Sequence, residues 1–356
     1  MSAGLEFERH AARPAFLKVL LLSLGLAAST LALGACKAPE REASSSEAPA
    51  AALGLVGMYG EGDSLIDISE RDGRLYADGR GFKDSALAPK GNAYELADPE
   101  GGASVTVTVE GDAGAPSAIV LAGQRLPRRD PGKKVEDRIR VGINGDVSAL
   151  RAAALKASPP AEPRPERDEE LVDLSTLVPN IKVETRYAST NNFLGLPVYE
   201  VPGAFLQKPA AEALVEVARA LEPLGYGIKV LDGYRPWHVT KMFWDATPET
   251  SHMFVADPSQ GSRHNRGSAI DMTMYRLDTG EEVEMPGRYD EMSLRSYADY
   301  KGGTTRQRKE RDILRREMEK QGFKVYPEEW WHFDHQDWQK YGILNLTLTE
   351  LKARNR

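Results

Sequence analysis

Hydrophobic and polar positions follow three different patterns along the chain. An apolar run over residues 19–33, with basic residues before it, has the length of a signal-peptide core and is short for a membrane-spanning helix. Residues 53–131 carry short β-prone stretches between Asp-Gly and Gly-Gly turn signals, which predicts a small all-β barrel or sandwich domain. Helix and strand patterns alternate over residues 171–356, which predicts an α+β domain with helices packed on a small antiparallel sheet.

The elements of this C-terminal domain follow from the spacing of its apolar residues. Apolar side chains recur on one face of a predicted helix at 210–224, and a buried strand is predicted at 228–231. Residues 268–274 alternate as a strand, and a charged helix is predicted at 304–321. The apolar residues of the alternating strand share one face, so Asp271 points the other way, toward any cleft.

The leader ends in a cysteine motif. Small residues at positions 34 and 35 precede Cys36, and this arrangement resembles the bacterial lipobox, at which the signal peptide is cut and a lipid is attached. We therefore expect residues 1–36 to be a lipoprotein signal peptide. The mature chain would be exported and held by its lipid in a membrane, facing the periplasm or cell envelope, and Lys37 resembles a signal for the outer membrane. The alternatives are a plain membrane anchor and an ordinary cleaved signal.

Two stretches have the composition of connecting segments. Residues 37–52 are rich in Ala, Ser, Pro and Glu without periodicity, which predicts a flexible tether. Residues 132–170 are predicted as a linker region, with a possible helix at 147–156 and an end rich in Pro and charge. The β-domain between them gathers no cluster of titratable groups. We therefore expect it to be a spacer or a protein-contact module, and the sequence assigns it no partner.

The net charge and the cysteine content limit which partners and which metal sites are possible. The formal net charge of -7 at pH 7 argues against nucleic acid as a partner, because phosphate binding needs a basic face. Cys36 is the single cysteine, so an internal disulfide and a cysteine-rich zinc cluster are both excluded. Any metal site must be built from histidine and carboxylate side chains.

Three residues of the C-terminal domain have the types and positions that a catalytic zinc needs. His264 lies just before the strand that carries Asp271, and His332 follows Glu329 by three positions. Two imidazoles and one carboxylate can hold zinc and leave a fourth position for a water, whose pKa the metal lowers from about 15.7 to about 7. Glu329 is placed to take the proton of that water. Such sets also arise by chance, and a single histidine is more often structural.

Two segments resemble the zinc signatures of a known family. Residues 262–271, Ser-Arg-His-Asn-Arg-Gly-Ser-Ala-Ile-Asp, and residues 329–332, Glu-Trp-Trp-His, are similar to those of the D-Ala-D-Ala metallopeptidases. More narrowly, they resemble the D-alanyl-D-alanine dipeptidases known from vancomycin resistance. Motifs at 185–193, 232–236 and 274–280 resemble the same family in the same order. The similarity covers most of the last domain and nothing before it.

The resemblance implies roles for seven residues. They are His264, Asp271 and His332 as ligands of one Zn²⁺ per chain, Glu329 as general base, Arg235 as the cation for the oxyanion, and Ser262 and Asp290 as contacts of the dipeptide, with Asp290 at its amino terminus. Two alternatives stay open. Arg235 could form an ordinary ion pair with Asp232, and Glu291 could serve in place of Asp290.

The activity that this resemblance implies is zinc-dependent hydrolysis of the small D-amino-acid dipeptide D-Ala-D-Ala, as part of cell-wall dipeptide turnover. One alternative is a D,D-carboxypeptidase that acts on longer muropeptides. Another is a cell-wall-binding lipoprotein without catalysis, but pure binding needs neither Glu329 nor Arg235. The export signal and the β-domain depart from the compact cytoplasmic resistance enzymes, which favours recycling of peptidoglycan fragments over resistance.

Overall fold

The computed structural model describes residues 48–98 and 101–354 of the chain. The predicted signal peptide, Cys36 and most of the predicted tether lie outside the described residues. The end of the tether is described, and it forms a short helix, α1 (Ala50–Gly54), whose Ala52 packs against the β-domain. Within the described ranges, no helix combines the length and the apolar character needed to cross a membrane.

The β-domain is one sheet of eight antiparallel strands in which each strand pairs with the next along the chain. The sheet is nearly closed, because Tyr59 forms an antiparallel bridge with Arg128 and the Gly60 amide donates to the Pro127 carbonyl at 2.9 Å. The predicted all-β domain is therefore confirmed as a barrel-like sheet. Its strands are β1 (Gly57–Tyr59), β2 (Ile66–Arg71), β3 (Arg74–Gly79), β4 (Phe82–Lys90), β5 (Ala93–Leu96), β6 (Val105–Asp112), β7 (Ala115–Leu121) and β8 (Gln124–Pro127).

Alternation along these strands gives the barrel its interior. Ile66 and Ile68 of β2 are each 1% exposed and pack in one cluster with Leu121 of β7. Asp72 and Gly73, which connect β2 to β3, have φ values of 48° and 84°. Positive φ at both central residues is what a tight type I′ hairpin turn requires, and Asp-Gly tolerates it well. The turn signal in the sequence thus predicts the hairpin that forms.

The C-terminal domain surrounds a five-stranded sheet. Its elements are α2 (Lys133–Ile143), α3 (Ser148–Lys156), β9 (Leu171–Asp173), β10 (Ile181–Val183), β11 (Phe205–Gln207), α4 (Lys208–Leu221), β12 (Tyr226–Asp232), α5 (Trp237–Ala246), β13 (Ala269–Arg276), α6 (Thr305–Lys320), β14 (Phe323–Tyr326), β15 (Glu329–His335) and α7 (Leu348–Arg354). The sheet order is β10-β12-β13-β15-β14, and β9 pairs with β11 separately.

The prediction of an antiparallel sheet is wrong for one pair of strands. β10 and β12 run parallel, whereas the other neighbours in the five-stranded sheet are antiparallel. A parallel pair needs a long crossover connection. The connection from β10 to β12 contains β11 and α4 and supplies that length.

The main core lies between the sheet and helices α4 and α6. Ile270 and Met274 of β13 pack there with Leu214 of α4 and Leu314 of α6. The predicted alternation of β13 is therefore confirmed. Because successive side chains of a strand point to opposite faces, Asp271 faces away from this core.

A second core joins α2, α3, α5 and α7 to an aromatic loop region. Ile139 of α2 and Ala154 of α3 are fully buried and pack with Tyr187, Phe193 and Phe243. Residues 132–157, which the sequence predicts as part of a linker region, thus belong to the packed body of the C-terminal domain.

The Pro-rich end of the same region is also held in place. Glu162 forms an ion pair with Arg266 and accepts a hydrogen bond from the Ile343 amide at 2.9 Å. Arg167 pairs with Asp337 at 3.0 Å. These contacts fix residues 158–170 along the surface of the C-terminal domain.

The β-domain contacts the start of α6 directly. The Glu70 carboxylate on β2 accepts a hydrogen bond from the Thr305 amide at 2.8 Å, and the Glu70 amide donates to the Gly303 carbonyl at 3.0 Å. Tyr300 donates to the buried Asp67 carboxylate. Since the first amides of a helix have no partners within the helix, Glu70 satisfies part of the α6 N-terminus from the neighbouring domain.

Candidate active site

Two strands and one turn bring the three predicted metal ligands together. His264 begins a short 3₁₀ turn, His264–Arg266, which ends at Gly267 in the left-handed region, just before β13. Asp271 of β13 lies directly opposite His332 of β15 in the strand register. Directly opposed residues on antiparallel strands have adjacent side chains. His332 lies within β15.

The three ligand atoms converge on one point in the buried interior. His264 Nε2 and His332 Nδ1 lie 3.1 Å apart, and they are 3.2 and 3.1 Å from Asp271 Oδ1. Asp271 Oδ1 is buried and accepts no hydrogen bond from any residue that the structure describes. A buried carboxylate oxygen left in this way beside two imidazole nitrogens fits a cation, and two nitrogens with one oxygen are a donor set that suits zinc.

Neighbouring acceptors fix both imidazoles. His264 Nδ1 lies 2.7 Å from the Gly233 carbonyl oxygen, and His332 Nε2 lies 2.9 Å from Asp334 Oδ1. Each acceptor can take the ring N–H, which leaves the lone pair of the other ring nitrogen directed at Asp271. Burial by itself would raise the pKa of Asp271, but when His264 and His332 are protonated their charges hold it below its usual range.

Glu329 reaches the same point because β15 is irregular. Glu329 Oε2 is 3.5 Å from His332 Nδ1. Residues three apart on a regular strand point to opposite faces, but the register between β14 and β15 shifts between Val325 and Tyr326. Burial raises the pKa of Glu329 to about 7, against the opposing effect of His332. A carboxyl group with this pKa can accept and return a proton near neutral pH.

Arg235 makes the ion pair that the sequence leaves open and also reaches the triad. Its Nε donates to Asp232 Oδ2 at 2.9 Å, and its Nη2 lies 3.5 Å from Asp271 Oδ2. Tyr199 donates to the other Asp232 oxygen at 2.8 Å. Burial opposes the charge of Arg235, but Asp232 holds the pKa of Arg235 well above its usual range. The guanidinium is thus a fixed positive charge beside the three ligand atoms.

Ser262 and Asp290 face the same cavity from two sides. The Ser262 hydroxyl accepts from the His264 amide at 3.2 Å. Asp290 has a φ of 58°, and Tyr187 donates to both of its carboxylate oxygens at 3.0 Å. Burial and the nearby Asp271 raise the pKa of Asp290 well above its usual range.

Glu291 differs from its neighbour Asp290 in what surrounds its carboxylate. The Ser293 hydroxyl and the Arg288 amide donate to it at 2.5 and 3.1 Å, and Arg295 Nε lies 3.3 Å away. Its negative charge is therefore already compensated by protein groups. Of the two neighbouring acids, Asp290 is the one that forms no ion pair with any residue that the structure describes; its hydrogen-bond partner is Tyr187.

A cavity of about 270 Å³ contains this constellation. The seven residues predicted for the site all line it, and Cys36 lies outside the described residues. The structure adds Asp334 and the tyrosines Tyr187 and Tyr289, which the sequence does not single out. Asp334 follows His332 by two positions on β15, and this spacing is a signal that could have identified it. Tyr289 donates to Asp271 Oδ2 at 3.1 Å, and no local pattern predicts it.

Buried imidazoles and carboxylates around a cation-sized gap, with a base and a fixed arginine, define a candidate metallohydrolase site. A family model described as D-ala-D-ala dipeptidase matches residues 167–348, and the chain belongs to this peptidase family. The D-alanyl-D-alanine dipeptidase of Enterococcus faecium is 37% identical, over 45% of this chain and 88% of that relative. The D-alanyl-D-alanine dipeptidase of Escherichia coli K12 is 33% identical, over 49% and 89%.

A solved LD-carboxypeptidase structure has 18% sequence identity and a TM-score of 0.27, and it covers 49% of this chain and 72% of its own. This similarity is too low to inform the fold. The β-domain and helices α2 and α3 precede the residues that the family model matches.

Proposed function

We propose that this protein is a zinc-dependent dipeptidase that hydrolyses free D-Ala-D-Ala. The observation that carries the proposal is the convergence of His264, Asp271 and His332 with Glu329 and Arg235 in one cavity of a chain from this family. Relatives named for the same activity, of which the match covers almost nine tenths, support the substrate.

The residues of the triad fit one zinc ion. His264 Nε2, His332 Nδ1 and one oxygen of Asp271 are its proposed ligands, and the Gly233 carbonyl and Asp334 hold the imidazoles in the required orientation. When bound, zinc supplies a water of lowered pKa, about 7 instead of about 15.7, and Lewis-acid polarisation of the substrate carbonyl.

Glu329 and Arg235 carry out the steps that belong to the protein. Glu329 takes a proton from the attacking water as the oxygen bonds to the scissile carbonyl carbon. Arg235 stabilises the negative charge that then develops on the carbonyl oxygen. The C–N bond breaks when Glu329 passes its proton to the leaving nitrogen, so two molecules of D-alanine form and the carboxylate of Glu329 is restored.

The proposed substrate contacts select a dipeptide by its amino terminus. Asp290 forms no ion pair within the described ranges, and a substrate ammonium group would supply one. A longer peptide would have to bury a neutral amide against the same carboxylate. The Ser262 hydroxyl lies next to the triad and is free to donate to the substrate, because its oxygen accepts from the His264 amide.

We also propose that the chain is an exported lipoprotein with its lipid on Cys36, held in the cell envelope. The leader sequence supports this proposal. Labelling of cells with a radioactive fatty acid should mark the full-length protein and not its Cys36→Ser variant. Equal labelling of both proteins, or of neither, would refute lipidation at this residue.

The test of the substrate is a direct comparison between the dipeptide and a muropeptide stem that ends in D-Ala-D-Ala. We expect release of D-alanine from the free dipeptide and an intact stem, both measured by mass spectrometry. Cleavage of the stem alone would show that the protein is a D,D-carboxypeptidase and not a dipeptidase. Cleavage of neither, with zinc bound, would favour a binding protein.

A further inference from the structure

The catalytic cavity contains a second arginine, Arg263, to which the proposed mechanism gives no role. It lies between Ser262 and His264 and forms part of the cavity wall. Its guanidinium carbon stands 4.8 Å from the centre of the Trp338 ring, and its side chain is 41% exposed. The aromatic ring thus supports the cation in the cavity wall.

The guanidinium of Arg263 keeps unused hydrogen-bonding capacity. Its Nε is buried and donates to no acceptor in the part of the chain that the structure describes. The nearest carboxylate oxygen is Asp334 Oδ2 at 3.6 Å, which is too far for a hydrogen bond. The other Asp334 oxygen is occupied by His332 at 2.9 Å. Arg235 is different, because its Nε is satisfied by Asp232.

Arg263 and Asp290 are connected to the triad through different contacts. Asp290 contacts Tyr187, whose ring lies 5.3 Å from the Arg235 guanidinium, and Arg235 in turn reaches Asp271. Beyond Asp271 the contacts continue through His332 and Asp334 to Arg263. Among the described residues, this series of contacts therefore begins at an acid that forms no ion pair and ends at a cation whose Nε has no acceptor.

A dipeptide is a zwitterion whose two charges are complementary to Asp290 and Arg263. Its ammonium group and its carboxylate lie on opposite sides of the one peptide bond, which has to be held at the triad. Hydrolysis also creates a second negative charge at the carbonyl oxygen. Arg235 is available for that oxygen, so the substrate carboxylate needs another cation, and guanidinium is well suited to bind a carboxylate through paired donors.

We propose that Arg263 binds the C-terminal carboxylate of the substrate. The site then takes peptides whose last residue carries a free carboxylate and rejects C-terminal amides. This inference rests on the proposed dipeptidase function, since it names the group that recognises the leaving D-alanine. Arg263 is a specificity residue in this account and takes no part in proton transfer.

The test compares D-Ala-D-Ala with D-Ala-D-alaninamide, which has the same shape without the charge. Binding is measured by calorimetry on the zinc-loaded Glu329→Ala protein, which we expect to bind without turnover. Arg263→Met in this background should weaken binding of the acid by about 10- to 100-fold and leave binding of the amide almost unchanged. Arg263→Lys should restore part of the preference for the acid.

Arg315→Met is the matched control. Arg315 is also 41% exposed and pairs with a single carboxylate, Glu319, on the surface of α6. This variant should keep the full preference for the acid. Bound zinc and the thermal unfolding midpoint are measured for every variant, so that a folding defect is recognised.

Three results would overturn the proposal. An unchanged preference in Arg263→Met would show that another group binds the carboxylate. An equal loss for acid and amide, or a loss of zinc, would show that Arg263 acts through Asp334 and His332. A parent protein that binds acid and amide equally well would show that the site does not recognise the carboxylate. Selective binding of the acid without turnover in the Glu329-containing protein would instead contradict the proposed function and leave this inference intact.

Discussion

Each histidine of the triad uses one ring nitrogen for a protein acceptor and presents the other to Asp271. For His332 the acceptor is Asp334, which also lies near Arg263. Groups that hold the outer nitrogen of a metal-binding imidazole orient the ring and raise its basicity. We therefore expect the Gly233 carbonyl and Asp334 to strengthen metal binding without contacting the metal.

Removal of the Asp334 carboxylate should weaken zinc binding without removing a ligand. We expect Asp334→Ala to lower zinc affinity by about 10- to 100-fold, because the His332 ring loses its fixed orientation. Competition with a fluorescent chelator measures this affinity. Asp337→Ala is the control, since Asp337 contacts Arg167 and Lys340 and lies outside the cavity lining. Equal affinities of the two variants would contradict the role of Asp334.

A second pair of variants distinguishes the role of the general base from that of the metal ligands. Glu329→Ala should retain zinc and lower kcat by about 10²- to 10⁴-fold, because proton transfer loses its acceptor while the triad stays intact. Glu328→Ala removes the adjacent carboxylate, which does not line the cavity, and should stay active. Steady-state kinetics and metal analysis of both proteins give the comparison. Activity of Glu329→Ala near that of Glu328→Ala would require a different base.

At the scale of elements, the two-residue period of a strand predicts the correct face for one site residue and the wrong face for another. The alternating residues of β13 are enough to predict that Asp271 lies on the face opposite the apolar side chains. The same rule would put Glu329 and His332 on opposite faces of β15, and only the register shift beside Tyr326 brings them together. The partner of a strand decides such a shift, so one segment of sequence does not contain it.

Helix α2 likewise shows that one segment of sequence does not reveal which residues it packs against. Ile139 and Ile143 are four positions apart and form an apolar stripe, which is readable from the sequence. Their partners Tyr187 and Phe193 lie some distance along the chain, after a segment whose composition is that of a linker. The resemblance to known signatures groups seven residues that line one cavity, which periodicity alone does not do, because those motifs are local in sequence.

The first turn of α6 allows a test of a single element. Thr304 accepts from the Gln307 amide at 3.1 Å and Gln307 accepts from the Thr304 amide at 2.8 Å, which is a capping box. Thr304→Ala should lower the free energy of unfolding by about 1 kcal/mol. Chemical denaturation measures this change, with the exposed Thr349→Ala of α7 as the control. A difference near zero between the two variants would mean that Glu70 alone caps this helix end.

At the scale of the whole molecule, a buried acid lies where the β-domain meets the C-terminal domain. Asp67 accepts from Tyr300, and its other carboxylate oxygen is buried and accepts no hydrogen bond within the described ranges. Burial raises the pKa of Asp67 above its usual 3.8, against the opposing hydrogen bond of Tyr300. The contact between the domains is therefore more favourable when this carboxyl is protonated.

This arrangement gives a pH dependence of definite sign. A raised pKa in the folded state means that the contribution of Asp67 to stability is complete below the unfolded pKa and is lost as pH rises through the folded one. The stability of the natural protein relative to Asp67→Asn should thus fall from acid toward neutral pH. Urea unfolding at a series of pH values measures this difference. A pH-independent difference would contradict the assignment.

The central claim is that this chain hydrolyses D-Ala-D-Ala with a metal held by His264, Asp271 and His332. The most direct measurement is release of D-alanine from the free dipeptide by the purified protein, before and after removal of metal by a chelator and again after addition of one equivalent of zinc. The account predicts release that the chelator abolishes and zinc restores, and no restoration in His264→Ala. No release from the zinc-loaded protein, or release that persists at full rate without metal, would contradict it.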